Sequence, residues 1–226
     1  MNESKPLIMN KIQGIFGVLL VLLLIMCEVG CADRHKQAIE LNNEAVDMMN
    51  TFHRDSMNMA LALLDKAIAL DSSYVMAYSN KAKCLTYLGQ RKQAVETYAR
   101  YRDVTDVSLE KMRCWTAMGV NYDVMGDSAR ADFCYRKAIS LEPDIKKEGK
   151  YDMNAKIDLL FVKNLLGMKR EVDKEWETFR KGNTYKRDSY ALNFYHEFIK
   201  MDRRQMIENE RKNDESIKQI IDYRTH

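Results

Sequence analysis

Near its start the chain carries an uninterrupted apolar run, IFGVLLVLLLIM (Ile15 to Met26), and mixes apolar with polar positions everywhere after it. The run is shorter than the ~20 residues that a bilayer-spanning helix needs. Lys5 and Lys11 precede it as a basic region. A positive end followed by a short apolar core is the pattern of a secretory signal. Beyond it the pattern predicts helices. QAIELNNEAVDMMN (Gln37 to Asn50) reads as a first helix, and TFHRDSMN (Thr51 to Asn58) as a turn longer than a tight one by about three residues. In KIDLLFVKNLLGMKREVDKEWETFRKG (Lys156 to Gly182) two helices flank Gly167, and Val172, Trp176 and Phe179 form the apolar face of the second. DSYALNFYHEFIKMDRRQMI (Asp188 to Ile207) predicts a terminal helix, capped by Asp188 or Ser189, with Tyr190, Phe194, Phe198 and Met201 at helical spacing. The mixed-charge run ENERKNDESIK (Glu208 to Lys218) reads as a solvated extension of that helix or as a frayed tail.

The middle of the chain repeats itself. SNKAKCLTYLGQRKQAVETYARY aligns under TAMGVNYDVMGDSARADFCYRKA at a constant offset of 37 residues. Tyr78 falls on Trp115, Ala82 on Gly119, Leu85 on Tyr122, Gly89 on Gly126, Ala94 on Ala131 and Tyr98 on Tyr135. Upstream, Ala60, Leu64 and Ala67 match Ala131, Tyr135 and Ala138, and the offset from Ala60 to Ala94 is 34 residues. A fixed period of this size marks a repeat array. Trp115, Gly119, Tyr122, Gly126, Ala131, Tyr135, Ala138 and Pro143 fall on the positions that characterise the tetratricopeptide repeat, and the segment resembles that family.

The spacing has a physical basis. Gly119 and Ala131 stand where the two helices of a unit cross, and only small side chains allow that approach. Tyr122 and Tyr135 fill the space beside it, and Ala138 offers a small surface to the next unit. Gly126 supplies backbone freedom for the turn, GDS begins the second helix with capping residues, and Pro143 is expected to end it. A second insertion of three residues lies in RDVTDVSLEK, before the third unit, and both insertions are expected to extend loops. The expected fold is all-α: a short right-handed superhelical array of helix–turn–helix repeats with a C-terminal capping helix. Its layout is a signal over 1–31, about three repeats over 37–143, a degenerate fourth hairpin over 146–181 with Leu160 in place of the small residue, and the capping helix and charged tail over 188–226.

Composition supports helix: 226 residues hold 2 Pro and 9 Gly, and Ala, Leu, Met, Lys and Glu are plentiful. The 36 basic and 33 acidic residues nearly balance, which gives no basic stripe for nucleic acid. CEVGCADRHK follows the apolar run and resembles a bacterial lipobox, in which a cysteine receives the lipid. Cys31 is the expected attachment site because small Gly30 precedes it, although Glu28 stands where that pattern wants an aliphatic residue. Cys27 is the alternative, with Leu24 at the aliphatic place but bulky Met26 before it. An uncleaved anchor helix and cleavage after Ala32 are the competing readings, and each entails export. Cys84, Cys114 and Cys134 are an odd set without metal-ligand spacing and read as packing residues, with a Cys114–Cys134 disulfide as the alternative.

Candidate chemistry is sparse. Asn121, Asp123, Gly126 and Asp132 sit at calcium-loop offsets, but Met125 and Ala129 occupy ligand positions. His35, His53, His196 and His226 form no HExxH or nucleophile–base pattern, and no GxSxG or phosphate loop occurs. No enzyme, metal or cofactor is expected. In the family the first helices line a concave face that holds a partner segment. That resemblance implies groove positions Ser79, Asn80, Lys83, Thr86 and Tyr87 in the second unit. In the third they are Arg113, Thr116, Val120 and Asp123, and in the fourth Ile157, Phe161 and Asn164. Ser79 and Lys83 stand where a carboxylate clamp would want Lys and Asn, so a chaperone-tail specificity is disfavoured. Packing of these residues against the C-terminal helix competes with open-groove binding. The expected function is an interaction scaffold of a Gram-negative envelope, periplasmic or outer-membrane-associated, tethered by an N-terminal lipid and bound to a membrane-associated protein. Glycan capture and outer-membrane assembly are the alternatives.

Overall fold

Short polar turns make each helix fold back on the one before it. In a computed structural model, which describes residues 31–182 and 201–223, the described part of α1 covers 31–49 and α2 spans Arg54–Leu70. α3 (Val75–Tyr87) pairs with α4 (Arg91–Val104), and α5 (Ser108–Val124) with α6 (Ser128–Ile139). A short helix α7 (Glu142–Lys147) leads to the pair α8 (Met153–Leu165) and α9 (Lys169–Gly182). α10 covers Arg203–Tyr223. No strand occurs among the described residues. The hairpins stack in order, α2 on α3, α4 on α5 and α6 on α8. The molecule is an all-α superhelical array of helix–turn–helix units. The proposed cap at Asp188 or Ser189, and Tyr190, Phe194 and Phe198, lie outside the described residues.

Small residues set the helix spacing. Ala60, Ala67, Ala82, Ala94, Ala131, Ala138 and Ala155 are all 0% exposed. Gly119 is the tightest point: a Cβ there would sit 2.4 Å from Tyr135 Cε1. Met57, Leu64, Met112, Ile145 and Leu159 fill the space around these contacts and are fully buried. Each such side chain contributes roughly 1.5–3 kcal/mol through its removal from water. The turns of the second, third and fourth hairpins use Gly89, Gly126 and Gly167 at φ 72°, 86° and 74°. The first hairpin places Phe52 in the same region at φ 51°, where a Cβ is unfavourable. Asp127 caps α6, its carboxylate accepting from Arg130 N at 3.0 Å.

Three local expectations are corrected. The long turn expected over Thr51–Asn58 is not a loop: only 50–53 separate α1 from α2, and α2 has 17 residues against 14 in α4. The second insertion behaves likewise, giving α5 17 residues against 13 in α3. An added helical turn pairs its own backbone N–H and C=O groups, which a longer loop would leave to solvent. Pro143 does not end α6, which stops at Ile139; it sits in the first turn of α7, where a missing N–H costs nothing.

Cys84, Cys114 and Cys134 are buried and free. Cys114 packs with Tyr78 and Tyr101, and Cys134 with Val95 and Met118, so the alternative disulfide is not formed. The mixed-charge run belongs to α10, which turns back along the array and packs against α5 and α3. Ile221 joins the core of the first hairpin, and Met206 the core between α5, α6 and α8.

Candidate protein-binding groove

The first helices of successive hairpins, α3, α5 and α8, present one face along the array. Between them lies a cleft of about 310 Å³. Thr86, Arg113, Thr116, Val120 and Phe161 line it, all of them positions expected from the repeat pattern. Thr86 and Thr116 donate their hydroxyls to Ala82 O and Met112 O, each at 2.9 Å, within their own helices. The hydroxyl protons are thereby used, leaving oxygen lone pairs and methyl groups for contact. Val120 and Phe161 add apolar surface.

The charges around the cleft are mostly matched. Arg113 Nε donates to Asp158 Oδ2 at 2.9 Å, and its Nη1 to Glu110 Oε1 at 2.8 Å. Burial opposes the charge on Arg113, but Asp158 and Glu110 outweigh it and hold the guanidinium above its ordinary value. This bridge ties α5 to α8 across the face. Arg91 Nε donates to Asp214 Oδ2 at 2.9 Å, and its Nη1 to Asn121 Oδ1 at 2.9 Å. Burial pushes the Tyr98 phenol up to about 12, so it stays neutral well above neutral pH.

Several expected groove residues serve the interior instead. Asp123 is buried; it accepts from Tyr135 Oη at 2.8 Å and from Arg203 at 2.8 and 2.6 Å. Asn164 is buried and donates to Met201 O at 2.6 Å. Asn80 donates to Asn42 Oδ1 at 2.8 Å, which joins the first helices of two hairpins. Ile157 is buried in the fourth hairpin. Tyr87 stacks near Phe52, 5.8 Å between ring centres, and lines a separate hollow of about 210 Å³ beside α10. Ser79 is half-buried and Lys83 exposed, and neither lines the cleft.

Pattern reasoning missed Arg91, Tyr98, Ala117, Asn121, Asp158 and Glu210, which complete the lining. Asp158 stands three residues before Phe161, so helical spacing held a signal for it; Asn121, next to Val120, had none. Arg91 and Tyr98 come from a second helix, where Tyr98 is a repeat position read as a packing residue, and Glu210 comes from α10, which has no repeat position.

The apparent calcium ligands have other partners. Asn121 bonds Arg91 and Ala117 O, while Asp123 and Asp132 both bond Arg203. Among the described residues no group of three His, Cys, Asp or Glu side chains converges to hold a metal. No helix among them is long and apolar enough to cross a membrane.

The third hairpin carries the fullest set of pattern residues. Trp115 lies under the Arg102 guanidinium, 4.4 Å from its ring centre, and 5.8 Å edge-on from Phe133. Residues 113–145 match the family model for the tetratricopeptide repeat. This segment is a tetratricopeptide repeat. It supplies Arg113, Thr116, Val120 and Asn121 to the cleft. No curated protein matches the sequence. Among solved structures, the chain is similar to the crystal structure of MamA. That likeness has 21% identity and a TM-score of 0.43, and covers 65% of this chain and 78% of that one. It is also similar to the structure of YrrB, described as a TPR protein with an unusual peptide-binding site. There the identity is 17% and the TM-score 0.43, over 80% of this chain and 86% of that one.

At the other end of the described chain, residues 31–36, ahead of the first helix expected from Gln37, are helical and continuous with it. Cys31 is exposed, with Arg34 Nη2 3.3 Å from its sulfur. Cys27 and the Ile15–Met26 run lie outside the described residues.

Proposed function

We propose that this chain is a protein-interaction adaptor of a bacterial envelope, holding an extended partner segment in its concave cleft. The observation that carries the reading is the cleft formed by Thr86, Arg113, Thr116, Val120 and Phe161 from consecutive first helices. Its mixture of hydroxyl, apolar and ion-paired groups suits a peptide better than a single small molecule. The tetratricopeptide repeat at its centre supports a protein as the occupant.

In this proposal the chain is exported and lipid-modified on Cys31, with Cys27 as the alternative site. With residues 31–49 helical, a lipid on Cys31 would sit within about one helix length, ~28 Å, of the rest of the array. That geometry favours a membrane-associated partner. Two experiments test the proposal. Fatty-acid labelling in cells should persist in Cys27→Ala and vanish in Cys31→Ala; label retained in Cys31→Ala removes the assigned anchor. From detergent-solubilised envelopes, the wild-type chain should retain a membrane protein that Val120→Arg loses by about ten-fold or more. Equal recovery by both chains excludes the cleft.

A further inference from the structure

Helix α10 lies across the C-terminal ends of the first helices, running from the fourth hairpin back to the first. Its main contacts fall on one face. Counting from Arg203, that face carries Met206, Ile207, Arg211, Asp214, Ile217 and Ile221, at the three- and four-residue steps of a helical stripe. The stripe is charge-matched to what lies under it. Arg203 pairs with Asp123 and Asp132, and its guanidinium stands over the Tyr135 ring. Arg211 Nη2 donates to Asp123 O and Val124 O, at 3.2 and 3.3 Å, at the negative end of α5. Asp214 pairs with Arg91 at the start of α4, and Asp222 with Arg54 at the start of α2, where helix ends are positive. Between these clasps Met206, Ile207 and Ile221 are buried.

Asp123 decides what this surface can accept. Its side chain is 4% exposed and it faces a cation from α10. A buried carboxylate stripped of that cation is costly, so a ligand that replaces α10 must itself bring one. The same holds in reverse for Arg91, 7% exposed, which requires an acid. We propose that α10 is a resident ligand of this surface, exchangeable for an amphipathic helix of a partner protein that carries the same stripe. That stripe is a basic residue, apolar residues three and four positions on, an acidic residue at eleven, and apolar residues at fourteen and eighteen. The inference rests on the adaptor reading for the existence of a partner, but the surface and its exchange stand on the contacts of α10 alone.

The probe is a fluorescent synthetic peptide of residues 201–223, added to the full-length chain. In the wild type, α10 holds the surface and blocks the peptide. Arg203→Glu or Asp214→Lys in the chain weakens the resident helix at its start or at its middle, and either should tighten peptide binding by about ten-fold or more, as the competent state becomes populated. A peptide that itself carries Arg203→Glu should not bind. Helicity by circular dichroism confirms that each variant is folded; if one is not, the other gives the reading. Unchanged peptide affinity in the folded variants, or equal binding of the charge-reversed peptide, overturns the proposal. Exchange of the peptide without capture of any envelope protein would count against the adaptor reading and leave this one standing. Capture without exchange would do the opposite.

Discussion

Gly119 shows how narrow the tolerance is at a single position. Its missing Cβ leaves room for the Tyr135 ring, which is fully buried and tied by its hydroxyl to Asp123. The ring cannot step aside without breaking that bond. Gly119→Ala should therefore lower stability by about 1–3 kcal/mol, read from urea unfolding; an unchanged midpoint would mean that the helix pair is looser than described. The buried thiols give a second test. Burial pushes Cys84 and Cys114 up to about 12 and Cys134 up to about 11. In a chain carrying Cys27→Ser and Cys31→Ser, thiol reagent at about pH 8 should label nothing until urea is added. Rapid labelling of the folded chain would contradict their burial. Gly119 and Tyr135 were legible in the sequence because their partners lie within one repeat. The role of Asp123 was not, because Arg203 stands 80 residues away on an element with no repeat pattern.

At the scale of elements, the sequence pattern identified the hairpins and misjudged where their extra residues go. Both insertions became helical turns in α2 and α5. Loop length is a weak signal because hydrogen-bonded helix competes with it at every added residue. The charged run in α10 was ambiguous for a related reason: Arg211 and Asp214 match partners that only the folded array brings into place. The joint between α1 and the turn after α2 offers a pH test. The Asp71 carboxylate is held below its ordinary 3.8, first by the Ser73 hydroxyl and also by His35 and the Ser73 N–H. A depressed carboxylate stabilises the fold fully above its unfolded value and loses that contribution as pH falls through the lowered one. Melting temperature should thus fall between about pH 4 and pH 2 by more in the wild type than in Asp71→Asn. Parallel pH profiles would show that this joint contributes nothing.

At the scale of the molecule, an array of hairpins and a returning helix divide the concave face between them. α10 covers the ends of the first helices, and the cleft around Thr116 and Val120 stays open beside it. The proposed lipid on Cys31 would hold both near a bilayer. Five of the twelve groove positions read from the repeat pattern meet in the cleft. Asp123, Asn164, Ile157 and Tyr87 are drawn into the core or toward α10, Asn80 toward α1, and Lys83 stays exposed, since the repeat pattern does not report what a distant helix covers. The decisive measurement is site-specific photo-cross-linking in cells, with the cross-linking residue in place of Thr116 in the cleft or of exposed Arg136 on α6. A discrete adduct with one envelope protein from position 116, and none from position 136, is the expected result. Adducts from position 136 alone, or from neither, would contradict the concave cleft as the partner site.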